Sequence, residues 1–168
     1  MAVWTGQEPE WQLAQDLVVT LFWRSQVLDA TLDDLTRYGY HVVDLDCDCT
    51  ENDFHNKIAQ ALCFPSYYGR SLAALNDCLS DVAARDYGVP PAATGLVVDL
   101  RHVDRLELCH ELVEAFWFQS MRAALYGNRM LTLAQADDLC FGHVLGGPSM
   151  RLGQYSASEW PDSKREPW

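Results

Sequence analysis

Between Phe64 and Leu79 the chain reads Phe64-Pro65-Ser66-Tyr67-Tyr68-Gly69-Arg70-Ser71-Leu72-Ala73-Ala74-Leu75-Asn76-Asp77-Cys78-Leu79. Two tyrosines and a glycine precede a run in which Leu72, Leu75, Leu79 and Val82 recur at helical spacing, which directs one face of a short helix into a core. Asp77 and Asp81 stand four residues apart, with Ala73 one turn earlier, so these three share another face. The chemistry open to such a pairing is recognition rather than bond-making. Exposed tyrosines anchor interfaces, and carboxylates on a helix face suit docking onto a basic cleft. Taken alone, the same residues also describe loop aromatics packed on a core beside a solvated helix flank.

Other constellations offer less. His110 and Glu114, four apart in His110-Glu111-Leu112-Val113-Glu114, could share a metal, but no pattern supplies a third ligand and a charged helix flank explains them. Cys47 and Cys49 with His55 nearby could bind zinc, yet thiols two apart at a strand end more often split between core and surface. Cys109 and His110 are neighbours on a helix, a spacing that predicts different faces rather than contact. The Gly142–Gly147 segment lacks the Gly-Lys-Ser/Thr of a phosphate loop. We therefore expect no metal, no cofactor, no small-molecule substrate and no enzymatic activity.

Pro65, the Tyr67-Tyr68-Gly69 turn, Leu72, the Ala74-Leu75 pair and Asp77-Cys78-Leu79 stand in one unbroken register that resembles the barstar family of ribonuclease inhibitors. The order of elements extends the resemblance over roughly residues 41 to 136. It implies a loop and helix that enter a nuclease active site. By that resemblance Asp77 takes the pocket of a substrate phosphate, Tyr67 lies on the catalytic histidine, and Gly69 and Ser71 contribute backbone and small polar contacts. Pro65 and Gly69 would shape the loop, with Tyr68, Arg70, Ala73, Asn76 and Ser80 along the contact and Asp81 adding negative field. This chain departs from the family where Ala73 replaces a second interface aspartate, Arg70 a loop glutamate and Asn76 a tryptophan, and Arg122 falls near a glutamate of a later helix. Lost charge partners would leave arginines of the original target desolvated and unpaired, so the scaffold transfers further than the specificity. The implied partner is a small basic ribonuclease. The alternative is an interaction module on the same scaffold that binds a protein of another kind.

The elements that must position these residues follow from pattern. Leu17–Trp23 and His41–Leu45 read as strands flanking a helix capped by Asp29 or Thr31 and stopped at Gly39. Asn52 or Asp53 begins a second helix with Phe54, Ile58, Ala61 and Leu62 on one face, and Arg70 to about Ala84 form the third. Leu96–Leu100 is a nearly continuous apolar strand, as in a sheet covered on both faces. A long helix from Leu106 to Tyr126 and a strand from Met130 to Ala134 complete the pattern. Helical crossovers of this length require mostly parallel strands. The predicted fold is α/β: a small parallel sheet packed with helices, barstar-like, enlarged by an N-terminal strand and helix. We read one domain, with residues 1–38 as an N-terminal extension, 39–136 as the core and 137–168 as a C-terminal extension whose end frays. Within the last segment Phe141, Val144 and Leu145 could pack back on the domain, and Trp160 and Trp168 could dock or lie exposed.

At 168 residues and 49% apolar composition the chain can bury a substantial core. Its formal net charge of -12, from 24 acidic and 12 basic side chains, opposes nucleic-acid binding and favours a cationic protein partner. No apolar run is long enough to span a bilayer, so no membrane partner is expected. The six cysteines show no paired CxxC spacing, and the first residues lack the basic and apolar regions of a secretory signal, which together predict a reducing cytoplasm.

Overall fold

The computed structural model describes residues 19–138 and Phe141. Four strands, β1 (Val19–Phe22), β2 (His41–Asp46), β3 (Leu96–Arg101) and β4 (Met130–Gln135), form one sheet in the order β1-β4-β3-β2 with every pair parallel. Helix α1 (Ser25–Arg37) links β1 to β2. Helices α2 (Glu51–Ala61) and α3 (Leu72–Ala84) link β2 to β3, and α4 (Cys109–Leu125), after a 3-10 turn at Val103–Arg105, links β3 to β4. The predicted α/β architecture is the observed one, including its N-terminal strand and helix.

Alternation along the strands explains how both faces are covered. Leu28, Leu32 and Leu35 of α1 pack with Val97, Leu131 and Leu133 on one face. On the other, Leu96, Val98, Leu100 and Met130 meet Phe54 and Ile58 of α2, Leu75 and Leu79 of α3, and Leu112 and Phe116 of α4. With side chains buried on both sides, β3 and β4 read as apolar runs.

Several boundaries differ from the sequence expectations, each for a local reason. Helix α1 starts at Ser25 without a side-chain cap. Asp29 and Thr31 lie inside it, where the Thr31 hydroxyl donates back to the Val27 carbonyl instead of capping. Helix α2 is capped by Thr50, whose Oγ1 accepts from the Asp53 amide, so neither Asn52 nor Asp53 is the cap. Gly39 ends the α1 segment as expected, with φ at 84°. Gly95 is needed at the start of β3, since a Cβ there would lie 2.6 Å from both the Arg129 carbonyl and the Tyr40 ring. Phe141 is buried and stacks on His110, ring centroids 5.6 Å apart. Val144, Leu145, Trp160 and Trp168 lie outside the described residues.

Candidate functional site

The loop from Leu62 to Ser71 is held from beneath by aromatic packing. Phe64 and Tyr68 meet edge to face with centroids 4.9 Å apart, and Phe64 also meets Tyr87 at 6.2 Å. The Tyr68 hydroxyl shares a 2.5 Å hydrogen bond with Nδ1 of His55, a buried residue of α2. Burial holds His55 below the usual histidine range, so its ring is neutral, while burial pushes the Tyr68 phenol up. The Tyr68 amide donates to the Pro65 carbonyl, closing a turn that leaves the neighbouring Tyr67 80% exposed. Two adjacent tyrosines thus divide the work: Tyr68 fastens the loop inward and Tyr67 projects from it.

The turn into α3 is made at Arg70. Its φ of 50° is in the left-handed region, whereas Gly69 has no such angle, and a Cβ on Gly69 would make only an ordinary 3.6 Å contact with Ala74. Gly69 is therefore not the residue whose backbone freedom the loop uses. Ser71 is the N-cap, its hydroxyl accepting from the Ala74 amide, so α3 begins at Leu72 rather than at Arg70. Leu75, Leu79 and Val82 enter the core; Leu72 packs against it but stays half-buried.

Apart from Pro65 in the loop, the remaining predicted residues lie on α3. Ala73 and Asp77 are exposed, and Asp77 forms no ion pair among the described residues. Pro65, Ser80 and Asp81 are half-buried. Asp81 is partly engaged, because the Tyr87 hydroxyl donates to its Oδ2 at 3.2 Å and to the Cys78 carbonyl at 3.1 Å. Asn76 is tied to α4: the buried Gln119 donates to its side-chain oxygen at 2.8 Å and to its carbonyl at 3.2 Å. Tyr67, Gly69, Arg70, Ser71, Ala73 and Asp77 all lie open to solvent.

Sequence reasoning missed the supports. His55 under the loop entered the sequence reading only as a possible zinc ligand, and Gln119 beneath Asn76 belongs to no motif; a polar residue on an otherwise apolar helix face is the signal each leaves. Cys109 and His110, expected to diverge, approach to 3.7 Å between Sγ and Nδ1. Burial pushes the Cys109 thiol up, which is the reverse of what an activated nucleophile requires. Among the described residues no three His, Cys, Asp or Glu side chains are grouped so as to hold a metal. No described helix is long and apolar enough to cross a membrane.

The sequence profile of Barstar (barnase inhibitor) matches residues 40–123, half of the chain. The chain belongs to the barstar family. The matched stretch runs from β2 into α4 and contains the whole tyrosine loop and α3. Strands β1 and β4 and helix α1 lie outside it, yet both strands belong to the same sheet as the matched β2 and β3. The family is one of ribonuclease-inhibitor domains, not of enzymes. No curated protein matches the chain.

Proposed function

We propose that this barstar-family chain is an intracellular immunity protein that inhibits a small basic ribonuclease by occluding its active site. Tyr67 covers the enzyme's catalytic histidine, and Asp77 stands in for a substrate phosphate. The observation that carries this reading is the division between the two tyrosines and along α3. Tyr68 and Ser71 are consumed in building the loop and the helix start, while Tyr67 and Asp77 are left exposed and unpaired by the described fold. The net charge of -12 supports a cationic partner, which it would attract at long range. The five described cysteines are free thiols, in keeping with a reducing compartment.

The test is an affinity capture from host lysate and secretions, followed by inhibition assays on the captured ribonuclease with wild-type and Asp77→Ala proteins. The variant is expected to lose at least about 2 kcal/mol of binding, as an interface hot spot does. The family's own inhibitor–nuclease pair is a reference case for losses of that size. A captured ribonuclease indifferent to Asp77→Ala would overturn the site.

A second reading keeps the scaffold and changes the partner. Arg70 is exposed on the loop, Ala73 offers no charge, and Asn76 is bonded into the fold through Gln119. These departures favour a protein partner other than a ribonuclease. Absence of inhibition across a panel of small secreted ribonucleases, with capture of a different protein that Asp77→Ala releases, would establish it.

A further inference from the structure

The tyrosine loop carries the one described lysine or arginine whose side chain makes no bond to the rest of the fold. Arg37, Arg101 and Arg105 lie in ion pairs, Arg122 bonds to Tyr126 and stacks over its ring, and Lys57 and Arg85 donate to backbone carbonyls. Arg24 and Arg129 are engaged as well. The exposed Arg70 side chain forms no hydrogen bond or ion pair among the described residues, although the chain holds 24 acidic side chains. We propose that Arg70 pairs with a carboxylate of the protein partner and so decides which basic protein the loop accepts; this rests on the inhibitor reading above and specifies the partner's chemistry.

The backbone at Arg70 points the same way. Among the described residues Cys63, Arg70, Arg85 and His102 have positive φ without being glycine, a conformation that costs an L side chain more than it costs glycine. The Cys63 backbone closes the end of α2, where the Phe64 amide reaches back to the Ala59 carbonyl. Arg85 ends α3 and donates to the Ala93 carbonyl at 2.7 Å, and the His102 ring meets Asp46 at 3.0 Å. Arg70, with φ at 50°, bonds to nothing described, and the glycine beside it stands where φ is not positive. A glycine would make this turn at lower cost, so a guanidinium placed here without a bond inside the fold points to a bond outside it.

Its place in the loop makes that bond part of the Tyr67 contact. Both side chains are exposed on the same loop. Burial governs the neutral His55 and the Tyr68 phenol, yet the Arg70 charge is near enough to act on both groups. The guanidinium therefore lies close to the pair that anchors the loop. An interface that covers Tyr67 strips water from Arg70 too, and a desolvated guanidinium needs a counter-charge. A carboxylate supplies it in the forked geometry that arginine offers. A lysine or arginine of the partner at that point would be repelled, so Arg70 discriminates among basic proteins that the net charge of -12 attracts alike. An RNA phosphate is disfavoured by the same negative field.

The test measures binding of the ribonuclease captured by the wild-type chain to Arg70→Gly, Arg70→Glu and Arg70→Lys, with urea unfolding of each free variant. Arg70→Gly is expected to weaken binding at least about ten-fold while raising the urea midpoint, because glycine accepts the positive φ. Arg70→Glu should weaken binding by about a hundred-fold, and Arg70→Lys should keep more affinity than either. The order of Lys above Glu separates lost charge from a loosened backbone. Carbodiimide amidation of the ribonuclease should find an aspartate or glutamate protected in the wild-type complex and reactive in the Arg70→Gly complex. Undiminished binding in Arg70→Gly, binding by Arg70→Glu equal to or tighter than wild type, a lowered urea midpoint for Arg70→Gly, or no carboxylate whose protection depends on Arg70 would each overturn the proposal. Asp77→Ala is measured on the same complex. If it alone binds like wild type, the phosphate-mimic reading falls and the Arg70 result stands; if the Arg70 variants alone bind like wild type, the Arg70 proposal falls and the Asp77 reading stands.

Discussion

At the C-terminal edge of the sheet, Arg101 holds Asp99 at 2.8 Å and Asp29 at 2.7 Å, His102 meets Asp46 at 3.0 Å, and Arg105 joins Asp48 and Asp137. Along the outer side of α3 and the facing side of α4, Asp77, Glu111 and Glu114 form no ion pair among the described residues. Both regions are acidic, yet in the first each of these carboxylates meets a cationic or histidine side chain, while in the second the carboxylates stay without one among the described residues. Net charge alone therefore does not locate a binding surface. The surface proposed for binding is one on which the described fold leaves carboxylates unpaired.

Asp77 separates the two regions most directly. If α3 is the outward-directed region, Asp77→Ala costs at least about 2 kcal/mol of partner affinity and leaves folding stability within roughly 0.5 kcal/mol. Titration calorimetry and urea unfolding read the two quantities separately, and a stability loss without an affinity loss would reverse the assignment.

Asp99 sharpens the other side. It is fully buried next to Arg101, and burial, only partly offset by that guanidinium, pushes its carboxyl up to about 7. The folded chain then keeps a proton that the unfolded chain gives up near the ordinary aspartate value. Stability from this group is present at low pH and is lost as pH rises through about 4 to 7. Relative to Asp99→Asn, the wild type is expected to lose roughly 2 kcal/mol between pH 5 and pH 8 in urea unfolding. His55, whose ring is held neutral by burial, slopes the opposite way, and the comparison with the variant removes its contribution. Parallel pH profiles for the two proteins would show that Asp99 does not titrate in this window.

Two smaller effects test the loop's construction. Tyr68→Phe leaves the buried His55 without its hydroxyl partner and should destabilise by about 1–2 kcal/mol, seen as a lower urea midpoint. Ser71→Ala removes the α3 cap at about 1 kcal/mol, with local amide exchange rising at Ala74. Tyr67→Ala, by contrast, should leave stability within roughly 0.5 kcal/mol while weakening partner binding. Equal stability losses from Tyr67 and Tyr68 would erase the division between them.

Much of this was legible in the residues. The apolar runs of β2, β3 and β4 and the 3.6-residue spacing of Leu75, Leu79 and Val82 depend on neighbours close in sequence, so strands, helices and a parallel sheet could be read directly. The Pro65–Leu79 register pointed to the family on its own, and the family match bears out that recognition. Helix starts were read less well. Thr50, Asn52 and Asp53 all satisfy the same local capping rule for α2, and α3 starts after its cap Ser71, two residues beyond the expected start at Arg70.

What the sequence by itself determined is the α/β pattern, the crossovers that make the strands parallel, and the placing of two tyrosines and an aspartate around one helix start. Tertiary structure alone decided which tyrosine faces out, because the choice depends on His55 thirteen residues away and on Phe64 packing beneath the turn. It also decided that Asn76 is tethered by Gln119, that Asp99 is sealed beside Arg101, and that β1 joins the sheet against β4. Periodicity is a property of a few consecutive residues. Pairing, burial and the charges left over are properties of elements brought together from far apart in the chain, and no local pattern encodes them.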